Sequence, residues 1–471
     1  MQRIQADICI IGAGSGGLSV AAGAAQMGAR CVLIEAGRMG GDCLNHGCVP
    51  SKALLAAAKA AHAMTAGARF GIAPMMPQVD FGKVKDYIAE TIEGIAPIDS
   101  QERFEAMGVR VIRAWACFMA PDKVEAGDFL ISARRFVIAT GSRPLIPDIP
   151  GLGEVAYLTN ETIFALRERP EHLLILGSGP VAMEMAQAHL RLGCKVSVIG
   201  RSLPLGREDR ELVAPLLDQM RGEGVAIFEN VAVGQIEGGS GVTVVLSDGR
   251  RLTGSHLLVA VGRKVALDDL GLDAAGVKRT ERGVTVDASL RSSNRRIFAI
   301  GDAAGGPQLT HLANYHAGIV IRQAVLGLPA KARTGHIPRA IYTDPEVAQV
   351  GPIEPEARAI HGDRLQVLRW PLLDNDRARA EGQTAGQIKL LMVGGRPIGV
   401  GIVGQHAGEL VSLWALAISA KLPLSAMAGM VVPYPTLSEV SKRAAGAYFS
   451  PKLFDSPLVK RIVRLVQRWL P

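Results

Sequence analysis

Residues 6–11 form an apolar run, ADICII, followed at once by glycines, an alanine-rich segment up to Met27, and a second apolar run, RCVLIE, that ends on Glu35. Short apolar runs bounded by turn residues predict buried strands, and the small-residue segment between them predicts a helix lying on those strands. The same succession returns later: EHLLIL, a glycine turn, VAMEMAQAHLRLG and KVSVI. Alternation in VTVVLSDGRRL around Asp248-Gly249 predicts a hairpin. In SPLVKRIVRLVQRWLP, Leu458, Ile462, Leu465, Val466 and Trp469 fall on one helical face, with Lys460, Arg461, Arg464 and Arg468 elsewhere. This basic amphipathic helix is expected to pack on its own protein, with weak contact to an anionic membrane surface or a partner through 456–471 as the alternative.

With 471 residues the chain is too long for one core and is expected to form several domains. Its net charge of +8 is mild and the charges are scattered, so no nucleic acid partner is expected. The uncharged stretch Ile8–Ala29 is too rich in glycine for a membrane span and is better explained by the turn motif it contains, so a cytoplasmic protein is expected. Six cysteines, none after residue 194, do not make a secreted disulfide framework. Cys9, Cys31 and Cys194 lie in apolar runs and are read as inert core thiols, and Cys117 likewise.

The first turn reads Gly12-Ala-Gly14-Ser-Gly16-Gly17, a G-x-G-x-x-G pattern between a strand and a helix, with Glu35 23 residues after Gly12. Such glycines let the backbone approach a pyrophosphate at a helix N-terminus, and the acid accepts hydrogen bonds from a ribose. The second turn, Gly177-Ser-Gly179-Pro-Val-Ala182, repeats the pattern with Pro180 in the first helical turn. The position equivalent to Glu35 is Gly200, followed by Arg201 and then Arg207. Losing the carboxylate and gaining guanidinium groups suits a 2′-phosphate. The first unit is therefore expected to bind FAD and the second NADPH, with NADH as the alternative.

Cys43 and Cys48 stand with four residues between them in GGDCLNHGCVPSK, 40–52. Pro50 and Ser51 predict a helix start, continued by LLAAAKAAHAM, which puts Cys48 near a positive helix end where a thiol loses its proton more easily. No second Cys or Cys/His pair lies nearby at ligand spacing, so no metal site is expected. His46 is read as a solvent-facing loop residue. His311 and His316 in LTHLANYHAG are read as packing or helix-end residues.

These features, with Ala139-Thr140-Gly141, Ile300-Gly301-Asp302, YTDPEVAQVG at 342–351 and PYPTLSE at 433–439, resemble the FAD-dependent pyridine nucleotide–disulfide oxidoreductases over residues 6–445 or so. That family includes dihydrolipoyl dehydrogenase, glutathione reductase and mercuric reductase. The resemblance implies an α/β fold of two Rossmann-like dinucleotide-binding domains, glutathione reductase-like, plus a C-terminal α+β dimerisation domain. The implied order is an FAD domain over 1–149, an NAD(P)H domain over 150–262, a return to the FAD domain over 263–335, an interface domain over 336–450 and the basic helix over 451–471. It also implies a redox disulfide between Cys43 and Cys48, which is expected to be strained and readily reduced in so small a loop. In that frame Cys48 is the sulfur beside the flavin and Cys43 the outward thiol that attacks substrate. Lys52 and Glu184 are the family's ion pair near the flavin. Gly12, Gly14, Gly17, Glu35, Thr140, Gly141, Gly301 and Asp302 hold FAD; Gly177, Gly179, Arg201 and Arg207 hold NADPH. A homodimer follows, because the family's C-terminal residues act across subunits.

The sequence departs from the family at one place. The His that handles protons in dihydrolipoyl dehydrogenase and glutathione reductase is Tyr434 here, whereas its Glu partner is kept as Glu439. A phenol titrates near pH 10 against about 6.5 for imidazole, so it is a poor proton acceptor at neutral pH. Mercuric reductases carry Tyr at this place, but this chain lacks their C-terminal cysteine pair. The expected activity is transfer of electrons from NADPH through FAD and the Cys43–Cys48 disulfide to a small-molecule or protein-bound disulfide/dithiol or a soft metal ion. The alternatives are dihydrolipoyl dehydrogenase proper, mercuric reductase, or a redox-sensing flavoprotein without disulfide turnover.

Overall fold

The computed structural model describes residues 1–470. The chain divides into two compact units, Met1–Pro204 with Val225–Arg333, and Leu205–Gly224 with the residues from Thr334 onward.

The first unit contains the same βαβ arrangement twice. Strand Gln2–Ile11 runs into helix Ser15–Gln26 and strand Cys31–Ile34, and the parallel neighbours across the sheet are, in order, Arg110–Ile112, Cys31–Ile34, Gln2–Ile11 and Phe129–Ile138. Strand His172–Leu176 runs into helix Pro180–Arg191 and strand Lys195–Ile199, in the parallel order Ala226–Phe228, Lys195–Ile199, His172–Leu176 and His256–Val259. Each central strand is apolar on both faces because both are covered. Helix Ser15–Gln26 packs on one face of the first sheet and Phe118, Val124 and Leu270 on the other, while Val242, Val244 and Leu246 of an antiparallel sheet cover one face of the second. Ile10, Leu33, Leu174 and Ile175 are fully buried. The expected hairpin is present, with Val242–Leu246 antiparallel to Arg251–Gly254 and Gly249 at φ +89° in the turn.

The second unit is a five-stranded antiparallel sheet backed by helices Ala407–Ser419 and Glu439–Ala447, whose faces meet where the buried Trp414 Nε1 donates to Ser441 Oγ at 3.0 Å. Leu205–Gly224, inside the stretch expected to form the NAD(P)H domain, clusters with this unit instead. One physical reason is charge: Lys389 is buried and its Nζ lies 2.8 Å from carboxylate oxygens of Asp209, Glu211 and Glu354. A buried ammonium needs such partners, and two of the three come from that segment.

The amphipathic helix forms at Pro457–Trp469, capped by Ser456, whose Oγ accepts from the Val459 N–H. It does not pack on its own chain as expected: its apolar face is exposed. Cys9, Cys31 and Cys194 are buried as expected, and burial pushes all three thiols up. Cys117 differs in being only half-buried, since the short strand Ala116–Ala120 turns its side chain away from the sheet core.

Candidate active site

Helix Cys48–Thr65 begins on Cys48 itself, with Gly47 as its N-cap. The first four N–H groups of a helix lack intrahelical acceptors and concentrate positive potential there. A second helix, Thr310–Ala324, also starts at this place, and Thr310 Oγ1 lies 3.2 Å from Cys48 Sγ. Both cysteines are free thiols here. Cys48 is pulled down to about 6, first because the Cys43 thiol hydrogen-bonds to its sulfur, then by Thr310 and the Lys52 ammonium, against the opposing effect of burial. Cys43 is pushed up in turn by that same hydrogen bond and by burial. The pair thus shares one proton, held on Cys43, with the negative charge on Cys48. Cys48 is the more exposed of the two.

Lys52 stands one turn along the helix from Cys48, and its Nζ is 2.8 Å from Glu184 Oε2 on the second glycine-turn helix. This pair ties the two dinucleotide units together beside the sulfurs. His46 is half-buried rather than fully solvent-facing, and its carbonyl accepts from Asn160 Nδ2 at 3.2 Å. His316 is buried and its Nδ1 accepts from the Gly301 N–H at 3.2 Å, so it fixes the loop that carries Asp302.

A polar network that sequence reasoning missed joins the cysteine loop to Asp302. Ser142 Oγ donates to Asp302 Oδ2 at 2.5 Å, and Arg263 Nε donates to Ser142 Oγ at 2.7 Å. The Arg263 guanidinium also lies 3.1 Å from Asp42 Oδ1, which accepts from Asn160 Nδ2 at 2.9 Å. Desolvation raises Asp302, and the Ser142 hydrogen bond works against it. The available signals were adjacency: Asp42 precedes Cys43, Ser142 follows Gly141, and Thr310 precedes His311.

The glycine turns fit dinucleotides. Gly12 has φ +104° and a Cβ there would lie 2.4 Å from the Ala139 carbonyl oxygen; Gly177 has φ +109° and its Cβ would lie 2.2 Å from that of Ala260. Gly17 meets the Gly12 carbonyl oxygen so closely that a Cβ would stand 1.8 Å from it. Gly14 and Gly179 are the N-caps of their helices, and neither helix has an acid in its first turn to compete with a phosphate. Thr140 Oγ1 is buried and, among the described residues, has no hydrogen-bond partner, so it is free to bond a group bound here. Glu35 accepts the Ala13 and Gly37 N–H groups, both at 2.6 Å, which leaves lone pairs for a ribose. Gly141 and Gly301 lie in the left-handed region at φ +69° and +58°, next to Thr140 and Asp302. Gly200 follows strand Lys195–Ile199, and Arg201 after it is exposed. Arg207 is also exposed and belongs to the second unit.

In the second unit Tyr434 is exposed, and its hydroxyl donates to Asp376 Oδ2 at 3.0 Å. That hydrogen bond, reinforced by the Asp376 charge, raises the phenol above its ordinary value. Glu439 is ion-paired with Arg443, Oε1 to Nη2 at 2.8 Å. Among the described residues no group of three or more His, Cys, Asp or Glu side chains could hold a metal ion. No helix among them is long and apolar enough to cross a membrane.

Comparison with known proteins agrees with this geometry. Residues 6–317 match the family described as pyridine nucleotide-disulphide oxidoreductase, and residues 337–445 match its dimerisation domain. A mercuric reductase from Streptomyces lividans is 35% identical over 460 residues, covering 94% of this chain and 96% of the relative. A dihydrolipoyl dehydrogenase from Geobacillus stearothermophilus is 32% identical over 455 residues, with the same coverage of 94% and 96%. Among solved structures, the Cu(II) complex of the HOCl-induced flavoprotein disulfide reductase RclA from Escherichia coli superposes with a TM-score of 0.83 at 27% identity, covering 93% of this chain and 98% of that one. The chain therefore belongs to the pyridine nucleotide–disulphide oxidoreductase family, FAD-dependent enzymes that use NADH or NADPH as reductant.

Proposed function

We propose that this enzyme takes electrons from NADPH and delivers them, through the Cys43/Cys48 pair, to a soft metal ion or other thiol-seeking acceptor, working as a homodimer. The observation that carries the reading is the setting of Cys48: it begins a helix, its Sγ lies 3.2 Å from Thr310 Oγ1 and Lys52 stands one turn on. Together with the Cys43 hydrogen bond, the largest of the causes, this setting pulls its thiol down while Cys43 keeps the proton. FAD would be held by the first glycine turn, Glu35, Thr140 and Asp302, and would supply two-electron chemistry between a nicotinamide and the sulfurs. The remaining tasks fall to the chain. The helix start, Thr310 and Lys52 hold the Cys48 charge. The Lys52–Glu184 pair holds the lysine in place, and Gly200 and Arg201 favour the phosphorylated nicotinamide.

The acceptor class follows from the proton bookkeeping. Interchange with an organic disulfide requires Cys43 to lose its proton as it attacks or resolves, which is the task an imidazole base performs. Tyr434, raised by Asp376, offers a proton donor and not a base. A soft metal ion binds thiolates and displaces their protons to water unaided, so it needs no base. Two thiols suit an ion in transit, whereas a resident structural metal takes four ligands. The mercuric reductase relative supports this choice.

The test is anaerobic NADPH oxidation by the FAD-loaded enzyme with mercuric ion, glutathione disulfide and lipoamide as acceptors. Mercuric ion is expected to support the fastest turnover, lost in Cys48→Ala. Faster turnover of either organic disulfide, or turnover indifferent to Cys48→Ala, overturns the reading.

A further inference from the structure

The helix Pro457–Trp469 is unexplained by the redox chemistry. Its 13 residues carry Lys460, Arg461, Arg464 and Arg468 and no acid. Leu458 is 66%, Ile462 50% and Trp469 81% exposed, and the neighbouring Leu453 and Phe454 extend the apolar surface. An isolated helix this short is marginal in water, so its apolar side needs a cover.

We propose that this helix lies flat on an anionic lipid surface and tethers the enzyme there. Three observations select that cover. The four cations have no acidic counterpart on the helix, so the complement must bring the negative charge. The matched dimerisation region ends at residue 445, so the helix lies outside the part of the chain that the family's dimerisation domain accounts for. The apolar face, flanked by arginines and closed by Trp469, has the build of an interfacial helix: leucine and isoleucine enter the acyl boundary, the indole sits at headgroup level, and the guanidinium groups reach back to phosphate. The helix is too short to span and lies in the interface instead.

Each cation near an anionic leaflet is worth roughly a fivefold gain in partition, so four together give on the order of several hundredfold over a neutral bilayer at low salt. The experiment is co-sedimentation of the FAD-loaded full chain with vesicles of phosphatidylcholine alone or mixed with phosphatidylglycerol, across a salt series. The proposal requires phosphatidylglycerol-dependent sedimentation that falls with salt. It must also be lost in Arg464→Glu with Arg468→Glu and in Ile462→Asp, while NADPH oxidation by these variants stays unchanged. Equal sedimentation with both vesicle types, or none with either, overturns it. So does a lipid-free oligomer that Ile462→Asp splits, which would assign the apolar face to a second copy of the chain.

Discussion

Replacing Cys43 by Ala removes the group that most lowers Cys48. A hydrogen bond to a charged acceptor is worth about 1.5–3 kcal/mol, and a pKa unit corresponds to about 1.4 kcal/mol, which gives roughly one to two units. Cys48 is exposed, so water replaces part of the lost bond and the low end applies. The midpoint should move from about 6 to about 7. Because the lowered midpoint favours the thiolate, reactivity is present above the midpoint and lost as pH falls through it. At pH 6 the thiolate fraction drops from about a half to about a tenth, so alkylation slows about fivefold. The assay is the rate of iodoacetamide alkylation of Cys48 against pH in reduced protein, with the modified residue identified by mass spectrometry. A wild-type midpoint near the ordinary thiol value of about 8.5, or no shift in Cys43→Ala, refutes the charge-sharing argument.

Thr310→Val and Lys52→Met each remove a smaller contribution, so each should raise the same midpoint by less than Cys43→Ala does, measured the same way. Arg201→Leu should raise the KM for NADPH about 10- to 100-fold with little effect on NADH, the range of one charge-assisted phosphate bond; equal effects on both cofactors would remove the 2′-phosphate assignment. Tyr434→His should restore a base and raise turnover of an organic disulfide by an order of magnitude or more, with a pH profile rising near 6.5. His189 is fully buried and lowered to about 3, first by burial and then by Lys85, and among the described residues its Nε2 has no partner. Its folded form binds fewer protons than its unfolded form, so stability is lost as pH falls below about 6.5, by about 2 kcal/mol at pH 5. His189→Leu should shrink the fall in Tm between pH 7 and pH 5, and an unchanged fall would contradict this.

What the sequence made legible was local. Both glycine turns, Pro180 in its first helical turn and the helix starting at Cys48 follow from backbone rules that act within a few residues, and their strand–helix context was visible in the apolar pattern. Arg263, Ser142 and Asp302 come together from positions far apart in the chain, and no spacing rule announces such a meeting. Thr310 and Asp376 were missed for the same reason: each matters through a partner more than fifty residues away. The tail shows the opposite failure. Its amphipathicity was read correctly, but pattern alone does not say what covers an apolar face, and here the chain itself does not.

The central claim is that reducing equivalents from NADPH open a bond between Cys43 and Cys48. It is tested most directly by mass-spectrometric alkylation of the FAD-loaded, air-oxidised enzyme before and after anaerobic addition of one equivalent of NADPH. Both cysteines should be protected before addition and both modified after it. Modification of both before addition, or continued protection afterwards, would contradict the account.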